Sequence, residues 1–209
     1  MPICPAISTV SRTPNSSNRC HDASAIGTSW GGLDAISRLL RGLHDDVHQP
    51  IVVAQHRSAD SERGGLEGLL QHHTRRLVSD PDDKTPLEPD HVYLAPPDYH
   101  VLVEDGHLAL SADPPVRFAR PSIDVLFESV ADAYGARAVG IVLTGANSDG
   151  ADGLARIKAR GGVAIVQDPA TSQRRTMPDA AIAATVADAV LPLDEIPAFL
   201  YGLCVEVTP

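Results

Sequence analysis

Ser29 stands among glycines in the stretch Gly27-Thr28-Ser29-Trp30-Gly31, between a short apolar run and an amphipathic one. Flanking glycines allow the tight strand-to-helix turn that presents a serine hydroxyl as a nucleophile. The helix that begins after such a turn favours developing negative charge. The alternative is a serine that only caps the helix, and this short motif alone gives the two interpretations equal support.

His56 and Asp149 are the side chains that would complete a catalytic triad with Ser29. Each follows a strand-like run, 51–54 before His56 and 139–143 before the loop that ends at Asp149. An imidazole accepts the serine proton, and a carboxylate orients the ring and stabilises its cationic form. The alternatives are a surface histidine, one of nine in the chain, and an aspartate in ordinary turn or cap chemistry.

Two further positions adjoin these segments. Backbone amides in the turn Gly145-Ala146-Asn147 are expected to hold the oxyanion of a tetrahedral intermediate, with Ala146 as the predicted donor. His100, which follows Pro96-Pro97-Asp98-Tyr99, is a lesser candidate for the same crevice.

The order of apolar runs predicts the scaffold that positions these residues. Strand-like runs cover 23–27, 51–54, 91–95, 139–143, 163–166 and the region near Val190, and helical patterns cover 33–43, 61–78, 121–134, 150–160, a stretch after Pro178 and one from about Asp194. Asp105-Gly106 separates two more short runs, which is a strong hairpin signal. We therefore predict an α/β fold: a doubly wound, mostly parallel sheet with helices on both faces and a small antiparallel hairpin.

The predicted sheet also brings the chemistry together. The crevice of such a sheet lies at the carboxyl ends of its strands, where Ser29, His56 and Asp149 all fall. The chain order Ser-His-Asp differs from that of the α/β-hydrolases, in which the acid precedes the histidine. We therefore expect another fold with convergent chemistry.

Composition narrows the class of protein. The 209 residues are 43% hydrophobic, which suits one domain over 21–209 after a loose tail over 1–20. A net charge of -10 has the wrong sign for a nucleic-acid-binding face. No apolar run approaches the roughly 18 residues of a membrane span. Cys4, Cys20 and Cys204 lack metal-ligand spacing, and we expect them to be free thiols in a reducing cytoplasm.

Several short motifs occur together along this chain. They are Ala25-Ile26-Gly27-Thr28-Ser29-Trp30-Gly31-Gly32, Gln55-His56, Tyr93-Leu94-Ala95-Pro96 with His100, Arg120-Pro121-Ser122-Ile123-Asp124-Val125-Leu126-Phe127, the run from Val139 to Gly153, Gln167-Asp168 and Met177-Pro178. Together they resemble the chemotaxis protein-glutamate methylesterases of the CheB type, over about Ala23 to Ile196.

The resemblance implies hydrolysis of glutamyl methyl esters on the signalling helices of chemoreceptors, and often deamidation of receptor glutamines. It maps the family's triad onto Ser29, His56 and Asp149, and it implies neither a metal nor an organic cofactor. It also implies a role in chemotaxis adaptation. Since the chain has no long apolar run, we expect that the protein is not inserted in a membrane.

This chain departs from the family pattern at four places. Trp30 replaces a common Thr and is expected to narrow the entrance, and Ala146 replaces a usual Met. The segment Gln173-Arg174-Arg175-Thr176 replaces an apolar stretch, and the usual N-terminal receiver domain does not precede the first strand. We expect the site rim or the substrate contacts to include Trp30, His100, Arg174, Arg175 and Met177.

Two other functions stay open from the sequence. The first is a non-catalytic domain that docks receptor helices, although the intact Ser29, His56 and Asp149 argue against it. The second is an esterase or amidase for another substrate, which Trp30 and the missing receiver domain suggest.

Overall fold

The computed structural model describes residues 21–205, and it contains one seven-stranded sheet and one hairpin. The sheet consists of β1 (Ala23–Thr28), β2 (Ile51–Gln55), β3 (Leu77–Ser79), β4 (His91–Leu94), β7 (Ala138–Val142), β8 (Val163–Gln167) and β9 (Ala189–Leu191), and the hairpin of β5 (His100–Glu104) and β6 (His107–Ser111). The helices are α1 (Gly32–Gly42), α2 (Gly65–Gln71), α3 (Ile123–Tyr134), α4 (Ala151–Ala159), α5 (Thr176–Ala184) and α6 (Ile196–Val205).

All neighbouring strands of the large sheet run parallel, in the order β3-β4-β2-β1-β7-β8-β9. β5 and β6 pair antiparallel around the predicted Asp105-Gly106 turn. The predicted α/β fold, with its parallel sheet and small hairpin, is therefore confirmed. The predicted tail over 1–20 and residues 206–209 lie outside the described part of the chain, so the proposed domain division stays a prediction.

Two apolar layers cover the two faces of the sheet, because successive strand residues point to opposite sides. Ala25 packs in the layer that includes Leu126 and Phe127 of α3. Ile26, the next residue, packs in the other layer with Ile36 and Leu39 of α1. The layer of α3 also contains residues of α4 and α5, and the layer of α1 contains residues of α2 and α6.

The long helix predicted over 61–78 is wrong. Only Gly65–Gln71 is helical, after Gly64 with a φ of +77°, and the chain then enters β3. β3 pairs in parallel with β4, and Val78 is buried there. Pairing of a β-branched residue at the sheet edge thus overrides a weak helical pattern.

The helix expected after Pro178 begins two residues earlier, at Thr176. Pro178 lies in its first turn, where a backbone N–H would have no partner within the helix in any case. The helix predicted over 121–134 begins at Ile123, so Pro121 precedes its N-cap, Ser122.

The strand order reverses at β1, which has β2 on one side and β7 on the other. The connection from β1 to β2 passes through α1 on one face, while α3, which leads into β7, packs on the opposite face. Such a switch point opens a crevice at the carboxyl ends of the strands. The segments that contain Ser29, His56 and Asp149 follow β1, β2 and β7 at this edge.

Candidate active site

Ser29 occupies the first position after β1. Its N–H donates to the carbonyl oxygen of Thr144 at 3.0 Å, and its own carbonyl oxygen accepts from Gly32 N at 3.0 Å. Gly31 has a φ of +81° and is the N-cap of α1, without a side-chain capping bond. The structure thus removes the interpretation of Ser29 as the helix cap.

The glycines around Ser29 are required by space as well as by backbone conformation. A Cβ atom at Gly31 would lie 2.7 Å from Oε1 of Gln173, and one at Gly32 would lie 1.8 Å from Oε1 of Gln55. Side chains from the end of β2 and from the loop before α5 therefore pack directly against the turn that carries Ser29.

His56 lies beside Ser29 because β1 and β2 pair in register up to Thr28 and Gln55. The N–H of His56 donates to the carbonyl oxygen of Thr28 at 3.1 Å, which extends that pairing by one residue. The imidazole Nε2 lies 2.7 Å from Oδ2 of Asp149, and the side chain is 13% exposed. Within residues 21–205 the hydroxyl group of Ser29 has no hydrogen bond.

Asn147 contacts the other nitrogen of the His56 ring. Its Nδ2 lies 3.2 Å from Nδ1 of His56, while its Oδ1 accepts from the N–H of Asp149 at 3.2 Å. The second bond fixes the orientation of the amide, so that an N–H group faces Nδ1. Nδ1 is therefore an acceptor with a lone pair, and Nε2 carries the proton that is donated to Asp149.

The carboxylate of Asp149 is fully buried and accepts four hydrogen bonds. Besides His56, the donors are Oγ of Ser122 at 3.0 Å and the N–H groups of Ile123 at 2.8 Å and Asp124 at 3.0 Å. Burial alone would raise the pKa of Asp149, but the hydrogen bonds from His56, Asp124 and Ile123 together lower it. The acid is thus held in its ionised form.

Asp149 caps α3, whose N-cap residue is Ser122, although the sequence places Asp149 next to α4. Asp124, in the first turn of α3, caps α4 in return: its Oδ1 accepts from the N–H groups of Gly150 at 2.9 Å and Gly153 at 2.8 Å. The two helices therefore exchange caps. The interpretation of Asp149 as a cap is correct for the neighbouring helix, and it is compatible with the bond to His56.

Asp124 is the second buried carboxylate of this exchange. Burial raises its pKa to about 6, with the Gly153 N–H opposing the shift, the charge of Asp149 adding to it and Arg117 opposing it. The guanidinium of Arg117 lies 3.3 Å from Oδ2 of Asp124. Two carboxylates thus share one buried region but have opposite pKa shifts.

The loop after β7 is held tightly around the predicted oxyanion donor. Gly145 N donates to the Arg174 carbonyl at 3.0 Å, and the Thr144 hydroxyl donates to the Trp30 carbonyl at 3.0 Å. Ala146 itself is exposed, and its N–H has no acceptor in the described part of the chain. The N–H of Trp30 is likewise without an acceptor there, so two backbone donors flank Ser29 and the β7 loop.

The five predicted rim residues divide into surface and interior positions. Trp30 is 60% exposed, and the guanidinium of Arg174 lies 5.4 Å from the centroid of its ring. Arg175 is also exposed but pairs with Asp179 one turn later in α5. Trp30 and Arg174 thus form one surface cluster beside Ser29.

The rim assignments of His100 and Met177 are wrong. His100 is 1% exposed; its Nδ1 accepts from Ser122 N at 3.2 Å, and its Nε2 faces the carbonyl oxygen of Pro114 at 3.3 Å. It supports the start of α3. Met177 is also 1% exposed, and a Cβ at Gly145 would lie 2.5 Å from its Cε. It packs behind the β7 loop, away from the surface.

The side chains of Asn147, Ser122 and Asp124 belong to the candidate site but are not predicted by the sequence motifs. The Asn147-x-Asp149 spacing is typical of an Asx turn, in which the N–H of Asp149 donates to the amide oxygen of Asn147. This contact is therefore predictable from the sequence. Ser122 has the spacing of a helix cap. Nothing in the sequence indicates that Asp124 caps a different helix, because that contact depends on tertiary packing.

Two other kinds of feature are absent from the described residues. Across residues 21–205, no three His, Cys, Asp or Glu side chains are grouped so as to hold a metal ion. Among the helices of that same region, none has the length and apolar character needed to cross a bilayer.

Comparison with known proteins gives matches along most of the chain. A sequence model of the family described as CheB methylesterase matches residues 24–200. A Leptospira interrogans protein, provisionally named protein-glutamate methylesterase/protein-glutamine glutaminase, is 42% identical over 177 residues, which are 84% of this chain and 91% of that protein. The protein-glutamate methylesterase FrzG of Myxococcus xanthus is 40% identical over 84% of this chain.

The chain spans about half the length of several other relatives, including 53% of FrzG and 52% of an Anaeromyxobacter dehalogenans methylesterase/glutaminase that is 43% identical over 85% of this chain. Among solved structures, the CheB methylesterase catalytic domain of Thermotoga maritima matches with a TM-score of 0.80 and 29% identity. The match covers 87% of this chain and 98% of that one.

Proposed function

This chain belongs to the CheB methylesterase family, and on that premise we propose that it hydrolyses glutamyl methyl esters of a protein through Ser29, His56 and Asp149. The observation that carries the proposal is the 2.7 Å bond between Nε2 of His56 and the buried, ionised carboxylate of Asp149. Because the relatives' names also include protein-glutamine glutaminase, the same site is proposed to deamidate glutamine side chains.

The first step is attack of the Ser29 hydroxyl on the ester carbonyl. Nδ1 of His56 is the nitrogen with the lone pair, so it removes the serine proton once the Asn147 amide has moved off it. Asp149 stabilises the imidazolium that results and keeps its own negative charge throughout. His56 then gives the proton to the departing methanol, and water releases the glutamate from Ser29 in the second half of the reaction.

The backbone donors for the oxyanion are proposed to be the N–H groups of Ala146 and Trp30. The residue after a nucleophilic serine commonly supplies one such donor. Each donor is worth about 3–4 kcal/mol of transition-state stabilisation in comparable sites. Ala146 stands where the family usually has Met, but the hydrogen bond to the oxyanion comes from the backbone N–H. The smaller side chain therefore leaves the contribution of this donor intact.

The substrate is proposed to be the signalling helices of methyl-accepting chemoreceptors, which places the reaction in the cytoplasm. An enzyme of net charge -10 is repelled by an acidic partner at long range. Arg174 is exposed next to Trp30 and offers a local positive charge at the entrance. Arg175 has Asp179 as its partner, so Arg174 is the better candidate for a contact with substrate carboxylates.

The test is methanol release from a methylated receptor fragment, together with mass spectrometry of the acyl-enzyme. Wild-type protein should release methanol and form a transient ester on Ser29, and Ser29→Ala should abolish both. His56→Ala alone should be nearly as severe as Ser29→Ala, since members of a triad act as a unit. Methanol release that survives Ser29→Ala would contradict the proposal.

A further inference from the structure

A cleft of about 390 Å³ opens beside His56. One wall is the segment that follows β2, from His56 to Ala59, and the other is the loop between β6 and α3, which includes Arg117 and Phe118. Asn147 also lines the cleft. The loop therefore adjoins the proposed base and the residue that contacts it.

Phe118 lies at the tip of this loop with its side chain fully exposed, at 104% of the reference area. Val116 and Ala119 exchange two backbone hydrogen bonds, at 3.1 and 2.9 Å, so Arg117 and Phe118 form a two-residue turn. Both have a positive φ, of 48° and 64°. Such turns favour Asn and Gly, because a positive φ is unfavourable for residues with bulky side chains. Exposure and strain at one aromatic residue indicate a function for its side chain.

The turn is anchored to the site. Arg117 donates to Oγ of Ser148 at 3.0 Å, lies 3.3 Å from Oδ2 of Asp124 and pairs with Asp152 at the start of α4. These three partners all belong to α3, α4 or the loop that carries the catalytic acid. Phe118 is therefore held at a fixed place on the cleft.

Exposed aromatic side chains are concentrated at this edge of the molecule. Of the eight aromatic residues of the chain, the exposed ones are Trp30, Tyr99 and Phe118. Trp30 follows Ser29, Tyr99 adjoins the cleft residue Asp98, and Phe118 lines the cleft itself. Aromatic residues are enriched in protein-binding surfaces relative to the rest of a protein surface.

We propose that Phe118 docks against apolar side chains of the substrate helix, one turn away from the glutamate that enters the site, and so selects a helix with apolar residues at these positions over one with polar residues. This inference rests on the proposed function, because it assigns the occupant of the cleft from the adjacent base. Residues three or four positions from the glutamate lie on the same face of a helix, about 5–6 Å away, where an aromatic anchor at the cleft can meet them.

The experiment pairs changes in the enzyme with changes in the substrate. Two helix-forming peptides of about 25 residues each carry one glutamyl methyl ester, with Leu or with Gln at the positions three and four residues away. Phe118→Ala should lower kcat/KM for the Leu peptide about tenfold, mainly through KM, and should barely affect the Gln peptide. Phe118→Leu keeps an apolar side chain at the cleft, so its kcat/KM for the Leu peptide should stay close to that of the wild type. Val186→Ala, which alters an exposed apolar residue just before β9 at the opposite edge, should change neither.

Equal losses on the two peptides, or no loss on either, would overturn the docking role. Binding of a fluorescent Leu peptide to Ser29→Ala protein tests the docking role without turnover. Its result is therefore independent of whether the proposed hydrolysis takes place. Weaker binding on adding Phe118→Ala supports docking even if no methanol is released by the wild type. Unchanged affinity, or no binding of the Leu peptide at all, refutes it.

Discussion

Replacement of Asp149 by Asn separates the proposed catalytic role of this residue from its role in capping α3. Each carboxylate oxygen accepts two hydrogen bonds: Oδ1 from Ser122 Oγ and Asp124 N, and Oδ2 from His56 Nε2 and Ile123 N. Asparagine has one oxygen and one NH₂ group, so the NH₂ group must face two donors. In either orientation one backbone N–H of α3 loses its acceptor.

These hydrogen bonds determine how much Asp149→Asn should lower both the stability and the turnover of the protein. One buried N–H without a partner costs about 1–3 kcal/mol, which lowers Tm by about 2–12 °C in a domain of this size. With NH₂ at the position of Oδ2, Nε2 of His56 must become an acceptor, and the proton moves to Nδ1. The ring then has the wrong tautomer to act as the base, for which about four orders of magnitude in kcat is the precedent.

The assay is ester turnover and thermal melting of Asp149→Asn, with Ser122→Ala as the matched control. Ser122→Ala removes one hydroxyl donor from Asp149 but keeps its charge. The control should lower stability by about 1 kcal/mol and cost less than about tenfold in rate. A folded Asp149→Asn protein with nearly normal turnover would refute the assignment of the acid. An equally inactive Ser122→Ala protein would show that capping geometry, rather than charge, determines the rate.

Three further outcomes follow from the site. The raised pKa of Asp124 means that the folded protein keeps a proton which the unfolded chain releases near pH 4. The free energy of unfolding should therefore fall by about 3 kcal/mol as the pH rises from 4 to 6. In melting experiments, Asp124→Asn should make Tm depend less on pH over this range. Arg174→Ala should raise KM for a receptor fragment and weaken its salt dependence more than Arg175→Ala, and equal effects would exclude a specific contact. Asn147→Ala should lower kcat/KM, because the Asn147 amide keeps the lone pair of His56 on Nδ1; an unchanged kcat/KM would show that the amide does not hold the base.

Much of the architecture is predictable because the sheet is regular. Alternating strand and helix patterns place Ser29 and His56 at neighbouring strand ends, and the parallel register then brings them side by side without long-range information. β3 escapes prediction since three residues at a sheet edge carry too little pattern of their own, and pairing with β4 decides their conformation.

The site is less predictable where a role depends on burial. His100 and Met177 stand next to motif residues in the sequence, yet both side chains point into the interior, where they support α3 and the β7 loop. Asn147 looks like turn chemistry from its neighbours, and only the approach of His56 gives its amide a second contact. Sequence proximity to a motif thus identifies the region but not the face of the side chain.

The exchange of caps between α3 and α4 has a consequence for how relatives of this protein can diverge. A descendant that abandons hydrolysis can lose Ser29 or His56 at little structural cost, because neither side chain is part of that exchange. It cannot easily lose Asp149, whose carboxylate fastens the start of α3. An aspartate at this position is therefore a marker of the scaffold, and an inactive relative should keep it long after its nucleophile has gone.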